Sequence, residues 1–482
     1  MFYIIDLYVM FVICFILFFN LLGLECYIKH KEEQEKTNKF YYYSFLENIF
    51  LNFKTCLLFV MYYLFYISQF NDAINLVFSS KFIFLFFFIF LFYAKQFLIN
   101  SRMFSFEFII TFIFSNFCLF LIMQCDNFLN FYIILESYTL TISSTILLKN
   151  FKNKTTESAF AYLILNITAS LFLVYAISYI YFCTGIINFS DLDKIYIFYD
   201  VFYYKLLLNY ALIILIFSFL IKLAVFPFSF FLFKIYKNLS SIHVFYFLTV
   251  PKFIILLFLF KISNFIFLIL DYKFLTCIYL LLFVTSIFHS LASLMYFNFK
   301  DIIINVSLAN TPFLFLFIFL KYKFFLVCFL NFMIVYFFNL FCIFYFLLFL
   351  KVKKLTNVIG LFYLNKQISF SFLVVLMSLM AIPPFSNFFT KFFMFYFLIE
   401  YKMYYYYFFL SLLNLVIVYC YISIIRVLFI KKRSLLLKYF MIKKNLSIYI
   451  YSFLVFLNIF YIFFFDIIYI VFNNLLYIVI HH

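Results

Sequence analysis

Stretches of about 20 apolar residues follow one another along almost the whole chain, and this pattern constrains the fold more than any other feature. An α-helix needs that length to cross the hydrocarbon core of a bilayer. Hydrophobic residues make up 69% of the sequence and charged residues 11%, which is far too apolar for one water-soluble core. The sequence therefore predicts an all-α membrane protein.

Polar breaks divide the apolar sequence into about 14 predicted transmembrane helices. Their approximate ranges are 3–27, 48–70, 82–100, 104–125, 128–148, 158–182, 206–232, 244–262, 273–296, 302–320, 324–350, 369–397, 404–430 and 447–475. The first range lacks a basic leader, a cleavage site and an Arg-rich pattern, so we expect a first transmembrane helix there and no targeting segment.

Basic residues are distributed unevenly between the two predicted sides of the membrane. The loops after odd-numbered segments, with their adjoining helix ends, carry 23 Lys or Arg, and those after even-numbered segments carry 8. Basic loops stay on the side from which insertion occurs, so both termini are predicted on the opposite side. The net charge of +17 is accordingly expected to orient the chain in a membrane, and no nucleic-acid partner is expected.

The residue usage also bears on where the chain is made and what it binds. Its 91 Phe and 44 Tyr against 3 Gly and no Trp are typical of AT-rich coding, which favours an organelle genome over simple hydrophobicity. The ten Cys form no CxxC pair, and the five His show no ligand spacing. We therefore expect no metal, haem or iron–sulfur cluster on this chain.

Four lysines remain inside the predicted segments, namely Lys54, Lys222, Lys252 and Lys391. Lys54 lies near a helix end and can extend to the interface. The other three each lie close to proline. One such lysine could simply satisfy freed backbone carbonyls, but three favour a proton path, because ionisable groups in a membrane interior usually have a function.

Helix breaks are predicted from the prolines, which all fall within predicted segments. They are Pro227, Pro251, Pro312, Pro383 and Pro384. Proline interrupts helical hydrogen bonding, and lipid tolerates this only where protein or a wet cavity meets the freed groups. We expect helix breaks at Pro227, Pro251, Pro383 and Pro384.

Glu136 is the acidic residue placed most clearly in the middle of a predicted segment, in the sequence NFYIILESYTLTI. A carboxylate at that depth needs a cationic partner, because an unpaired ion is costly in a low dielectric.

The sequence resembles the antiporter-like membrane subunits of respiratory complex I. The motifs are LESYTL around Glu136, KLAVFPFSFFLFKIYKNLSSIHVFYFLTVPK at 222–252, residues 156–189, and residues 358–395 with LMSLMAIPPFSNFFTKFFMF. Together they cover most of 128–430, and the Thr-Val-Pro-Lys signature ending at Lys252 is most similar to the subunit 2 branch.

The resemblance implies a fold of two inverted repeats, each with a broken helix. The first repeat would comprise 104–262 and the second 273–430, with three further helices in 1–100 and a last one at 447–475, all in a single membrane domain. It also implies that Glu136 pairs with Lys222. Lys252 would then be the central relay of a proton path, and Lys391 its distal site.

The resemblance further implies a subunit of a proton-translocating NADH:ubiquinone oxidoreductase in the mitochondrial inner membrane, with basic loops in the matrix and both termini in the intermembrane space. Flavin, iron–sulfur clusters and ubiquinone are expected on other subunits, with no cofactor and no redox catalysis here. Expected partners are membrane-arm subunits including antiporter-like neighbours, accessory subunits, and lipids such as cardiolipin.

Three positions depart from the pattern of these subunits. Ser229 and Asn310 stand where histidines are usual, and Ala161 stands where a lysine is usual. Serine and asparagine cannot titrate near neutral pH, so water would have to bridge them in a relay. Two alternatives therefore stay open: a stand-alone cation/proton antiporter, and a structural subunit that has lost its proton path.

Overall fold

The structure is a computed structural model of the chain. It describes residues 106–148, 153–189, 191–192, 202–263, 265–266, 270, 272–311, 313, 323–350, 366–400 and 402–429. The chain divides into two compact units, and the larger comprises residues 114–481. Of the smaller unit, only residues 106–113 are described. The predicted segments 3–27, 48–70, 82–100 and 447–475 lie outside the described residues.

The described part of the chain is almost entirely helical. Its helices are α1 (Phe106–Gln124), α2 (Phe128–Leu147), α3 (Asn153–Thr184), α4 (Phe202–Lys222), α5 (Ser229–Asn238), α6 (Ser241–Lys261), α7 (Tyr272–Met295), α8 (Phe299–Ala309), α9 (Lys323–Leu350), α10 (Lys366–Leu379), α11 (Ser386–Glu400) and α12 (Tyr404–Phe429). An isolated bridge between Asn127 and Asn188 joins two connections. In this part of the chain, α3, α6, α7 and α12 are long and apolar enough to cross a bilayer.

The predicted segments between residues 104 and 430 each overlap one or two of these helices. Residues 312 and 314–320 of the segment 302–320 lie outside the described residues. Two of the segments, 206–232 and 369–397, each consist of two helices separated by a break. The outward faces of α3 and α12 carry large apolar side chains, such as Leu171 and Leu415, both 65% exposed. Such surfaces suit lipid rather than water.

Both breaks have the same length and the same position of proline. Each leaves six residues outside the helices, 223–228 between α4 and α5 and 380–385 between α10 and α11. Pro227 and Pro384 are the fifth residue of their breaks, and Pro383 precedes Pro384. The helix breaks predicted at these three prolines are present.

An alanine in the left-handed region ends the helix before each break. Ala224 has φ 62° and Ala381 has φ 59°. In both cases the alanine N–H donates to the carbonyl three residues earlier, and the next N–H donates to the carbonyl five residues earlier. This hydrogen-bond pattern is a Schellman motif, in which glycine is the usual residue at the left-handed position.

The break predicted at Pro251 is wrong, because α6 continues through this residue. A proline inside a helix removes one backbone hydrogen bond, and surrounding helices can compensate within a membrane protein. Helix α6 is almost completely buried between its neighbours, and this packing favours a continuous helix through Pro251. Pro312 lies outside the described residues.

Helix α6 lies in the core of the larger unit, in contact with α8 and α9. Aromatic rings fix one side of it: Phe258 stacks on Phe131 of α2, with ring centroids 3.6 Å apart and planes 7° apart. Phe189 packs edge-on against Phe258 at 5.4 Å. These contacts place the middle of α6, including Lys252, deep among its neighbours.

Candidate functional site

Two of the predicted lysines line one buried cavity. Lys222 is the last residue of α4, directly before the first break, and Lys252 lies in the middle of α6. The cavity has a volume of about 30 Å³, and both lysines contribute to its wall. A buried water needs roughly 10–15 Å³ and several polar partners, so this cavity has room for about two waters.

Tyrosines provide much of the remaining polar surface of this cavity. Tyr138, Tyr162 and Tyr236 line it. Tyr246 interacts electrostatically with Tyr138 and donates a hydrogen bond of 3.1 Å to Asn116 Oδ1. Phenolic hydroxyls donate and accept hydrogen bonds without carrying charge at neutral pH, so they can hold water beside the lysines without adding another charge.

Glu136 and Lys222 are electrostatic neighbours without a direct hydrogen bond. The Glu136 carboxylate on α2 acts electrostatically on the Lys222 amine. Lys222 Nζ and Glu136 Oε1 are both buried, and neither has a hydrogen-bonding partner among the protein groups. The structure thus brings the predicted pair into one region. A buried charge without a partner is costly, which makes the protonation of Lys222 sensitive to the position of the carboxylate.

Lys252 is almost completely enclosed, with only 3% of the residue exposed. Its Nζ has no hydrogen-bonding partner in the protein. Lys252 lines the cavity. It also acts electrostatically on His289 of α7. His289 Nδ1 lies 2.9 Å from Asn305 Oδ1 of α8.

Neither His289 nor Asn305 was predicted from the sequence. The predicted site residues were charged side chains within apolar segments, and the histidines were considered only for metal-ligand spacing. The signal that could have found His289 is its position inside the predicted segment 273–296, in which Lys273 at the start is the only Lys, Arg, Asp or Glu.

Lys391 lies on α11, the helix that follows the second break, and only 2% of it is exposed. Its Nζ donates to Asn414 Oδ1 of α12 at 2.5 Å and lies 5.2 Å from the ring centroid of Phe313. An amide oxygen and an aromatic face both stabilise an ammonium group. Unlike Lys222 and Lys252, this lysine therefore has direct partners.

Buried neutral polar groups lie on or next to α8, α9 and α10. Asn339 Oδ1 on α9 accepts a 2.8 Å hydrogen bond from Ser378 of α10. Asn310, directly after α8, is 4% exposed and contacts the hydroxyl of Tyr336. Asn310 Oδ1 and Asn339 Nδ2 keep unused hydrogen-bonding capacity within the protein. These amides are able to hold water, but they do not titrate near neutral pH.

Ser229 and Ala161 are the other two positions that depart from the pattern of the family, and they lie on α5 and α3. Ser229 is fully buried at the start of α5, and its Oγ has no hydrogen-bonding partner in the protein. Ala161 lies on α3 and is partly exposed. Neither position supplies a titratable group. In the described part of the chain, no three His, Cys, Asp or Glu side chains form a group that could hold a metal; the expectation about metals and cofactors stays a prediction.

The chain was compared with known protein families and curated proteins. The transmembrane family of NADH:quinone oxidoreductases and Mrp antiporters matches residues 125–417, which is more than half of the chain. NADH-quinone oxidoreductase subunit N of Cupriavidus taiwanensis is 31% identical over 102 residues. That match covers 21% of this chain and 21% of the relative's length.

Several solved structures have the same fold. Respiratory complex I from Thermus thermophilus, with bound aureothin, contains a chain with a TM-score of 0.68 at 17% identity, over 84% of this chain and 90% of that one. For the archaeal membrane-bound sulfane sulfur reductase the TM-score is 0.69 at 16% identity, over 84% and 81%. For the Mrp complex of Dietzia sp. it is 0.63 at 14% identity, over 74% and 67%.

These likenesses at low identity concern the fold, whereas the family match rests on the sequence itself. The chain is a multi-pass membrane protein, and it belongs to the NADH:quinone oxidoreductase/Mrp antiporter family of membrane subunits.

Proposed function

We propose that this chain is a proton-translocating, antiporter-like subunit of an NADH:quinone oxidoreductase and that it corresponds to subunit 2. The observation that carries the proposal is the shared cavity of Lys222 and Lys252, beside which Glu136 lies as an electrostatic neighbour. Two lysines that line one small cavity inside a membrane protein are placed to exchange protons through water.

The proposed path begins at Glu136 and Lys222, continues through Lys252 and ends at Lys391. A carboxylate near Lys222 favours its protonated form, and displacement of that carboxylate favours release of the proton towards Lys252. At an effective dielectric of about 20, charges 4–8 Å apart interact by roughly 2–4 kcal/mol. Conformational changes in a neighbouring subunit could therefore drive proton release at Lys222 by moving a charge.

We also propose that the chain has 14 transmembrane helices with two inverted five-helix repeats, 104–262 and 273–430. The two six-residue breaks, each with alanine in the left-handed region and proline at the fifth position, support this symmetry. Half-helices that meet near the middle of the membrane, at the interface of such repeats, are typical of ion-translocating folds.

The proposed setting is the mitochondrial inner membrane, with the basic loops in the matrix and both termini in the intermembrane space. The charge asymmetry of the loops and the AT-rich residue usage support it. Partners would be other membrane-arm subunits, accessory subunits and lipids such as cardiolipin. NADH oxidation, flavin, iron–sulfur clusters and ubiquinone would belong to other chains.

The test is replacement of Lys222 or Lys252 by Met in the assembled complex. We expect each variant to assemble but to lose quinone-coupled proton pumping, measured in proteoliposomes with a pH-sensitive dye. Pumping at the unsubstituted rate in either variant would refute the assigned role of that lysine.

A stand-alone cation/proton antiporter is the second candidate, because the matched family includes Mrp antiporters and the fold is shared with an Mrp complex. Purification of the chain from its native membrane distinguishes the two. Recovery with an NADH-oxidising assembly supports the first candidate, whereas recovery without any NADH-oxidising activity supports the second. A third candidate, a structural subunit with a lost path, predicts that neither lysine variant changes pumping.

A further inference from the structure

His289 is a buried histidine with one ring nitrogen unused. It lies on α7 with 1% of the residue exposed. Its Nδ1 is 2.9 Å from Asn305 Oδ1, and its buried Nε2 has no hydrogen-bonding partner in the protein. A histidine with a purely structural role in a core normally has both nitrogens satisfied, because an unsatisfied buried polar atom is costly.

The surroundings of His289 come from three other helices. Phe230 and Phe233 of α5 pack on it, each with its ring centroid 6.4 Å from that of the imidazole. Asn305 comes from α8, and Lys252 of α6 acts on the ring electrostatically. The neighbours on α5 are thus aromatic and the neighbour on α8 is an amide, and Lys252 is a charged group whose electrostatic effect reaches the ring.

We propose that His289 is a further proton-transfer residue, which exchanges a proton with Lys252 and connects it to the second proposed repeat, residues 273–430. This inference rests on the proposed function. Asn305 Oδ1 accepts a hydrogen bond from Nδ1–H, which leaves the lone pair of Nε2 free to accept a proton.

In the proposed step, an N–H bond of the Lys252 ammonium breaks and an N–H bond at His289 Nε2 forms, with water carrying the proton between the two groups. The products are a neutral Lys252 amine and an imidazolium, whose Nδ1–H stays bonded to Asn305. Release of the Nε2 proton towards the polar groups of the second proposed repeat restores neutral His289. No electron transfer and no other reactant is involved.

Ser229 and Asn310 stand where histidines are usual, so the proposed path needs another titratable group. Both side chains are buried and polar, but neither can gain or lose a proton near neutral pH. Imidazole is the side chain that can do so most readily. His289 therefore supplies, beside Lys252, the titratable group that those two positions lack.

The test uses the intact complex that contains this chain, reconstituted into liposomes, with pumping measured per NADH oxidised. His289→Gln should lower pumping about tenfold or more, since a positioned proton-transfer group contributes roughly 10² or more to a rate. The matched control is His243→Gln. His243 is equally buried, and its Nδ1 lies 2.6 Å from Ser240 Oγ. It lies at the start of α6, nine residues before Lys252 and so roughly 13 Å from it along the helix axis, and pumping should not change.

A swapped pair separates proton transfer from packing. His289→Asn alone should lose pumping, and His289→Asn with Asn305→His returns an imidazole to the same contact and should regain part of it. If the swapped pair assembles but pumps no better than His289→Asn, the inference is overturned, and this variant also decides the case in which His289→Gln does not assemble.

Lys252→Met is measured in parallel. Normal pumping by His289→Gln together with loss in Lys252→Met overturns only the role of His289. Normal pumping in both overturns the proposed function itself.

Discussion

Ala224 and Ala381 occupy equivalent positions in the two helix breaks, each second in a six-residue break and each three residues before a proline. Both have a left-handed backbone, with φ 62° and 59°, and both complete the same pair of hydrogen bonds to the preceding helix. A chain with only 3 Gly uses alanine at positions where glycine is usual. The left-handed region is unfavourable for a residue with a Cβ, so each break stores strain.

The first prediction concerns this strain. Ala224→Gly and Ala381→Gly should each raise the free energy of unfolding by about 1 kcal/mol, because glycine adopts the left-handed region without a steric cost. The measurement is resistance of the assembled complex to thermal unfolding or to proteolysis at the breaks.

Ala211→Gly is the matched control for these variants. Ala211 is fully buried in the interior of α4, where glycine should instead destabilise by about 1 kcal/mol. Equal destabilisation by all three substitutions would contradict the assignment of strain to the breaks.

The second prediction concerns the carboxylate beside Lys222. Glu136→Gln should assemble normally and pump protons at a rate lower by about tenfold or more, because removal of an attraction of roughly 2 kcal/mol changes a proton equilibrium by that factor. Proton uptake by proteoliposomes measures the effect. Glu157→Gln is the control, since Glu157 lies exposed near the start of α3. Equal rates in the two variants would remove Glu136 from the path.

Much of the fold followed from hydrophobicity and proline alone. Segment limits such as 404–430 against the observed Tyr404–Phe429 agree closely, because the thickness of the bilayer fixes the length of a span. The breaks near Pro227 and Pro384 followed as well. The continuous helix through Pro251 was not predicted, because it depends on the neighbours that enclose α6. A sequence pattern carries no information about those neighbours.

The site was predictable only as far as it depends on charge. Lys222, Lys252 and Lys391 stand out because an ionisable residue in an apolar segment has no ordinary explanation. His289 and Asn305 did not stand out, since a neutral polar residue is common in such helices and its role depends on what it contacts. Their 2.9 Å contact joins two helices, and helix packing determines which polar side chains meet.

The third prediction concerns Lys300, which holds the end of α5. Its Nζ donates to the carbonyls of Lys237, at 2.9 Å, and Leu239. A cation at the C-terminus of a helix satisfies carbonyls that have no helical partner. Lys300→Ala should therefore destabilise the fold by about 1–3 kcal/mol, since it leaves these carbonyls without a charged donor.

Proteolysis at the connection between α5 and α6 measures this change. Lys234→Ala is the control, because Lys234 lies exposed on the same helix and its removal should cost less than 0.5 kcal/mol, as is usual for a surface substitution. If cleavage is equally fast in both variants, Lys300 does not hold this helix end.

The fourth prediction uses the hydrogen bond between Lys391 and Asn414, which joins α11 to α12 at 2.5 Å. Asn414→Asp replaces a neutral acceptor by a carboxylate at the same place and should hold Lys391 in its protonated form, since an adjacent opposite charge favours the ion. Pumping should fall about tenfold or more, because at an effective dielectric of about 20 an ion pair at this range is stronger than a neutral hydrogen bond by several kcal/mol.

Asn414→Leu is the matched control. It removes the acceptor and leaves the amine free to lose its proton, so it should slow pumping less than Asn414→Asp does. If Asn414→Asp assembles and pumps at the unsubstituted rate, Lys391 need not release its proton during turnover, and the path must end before α11.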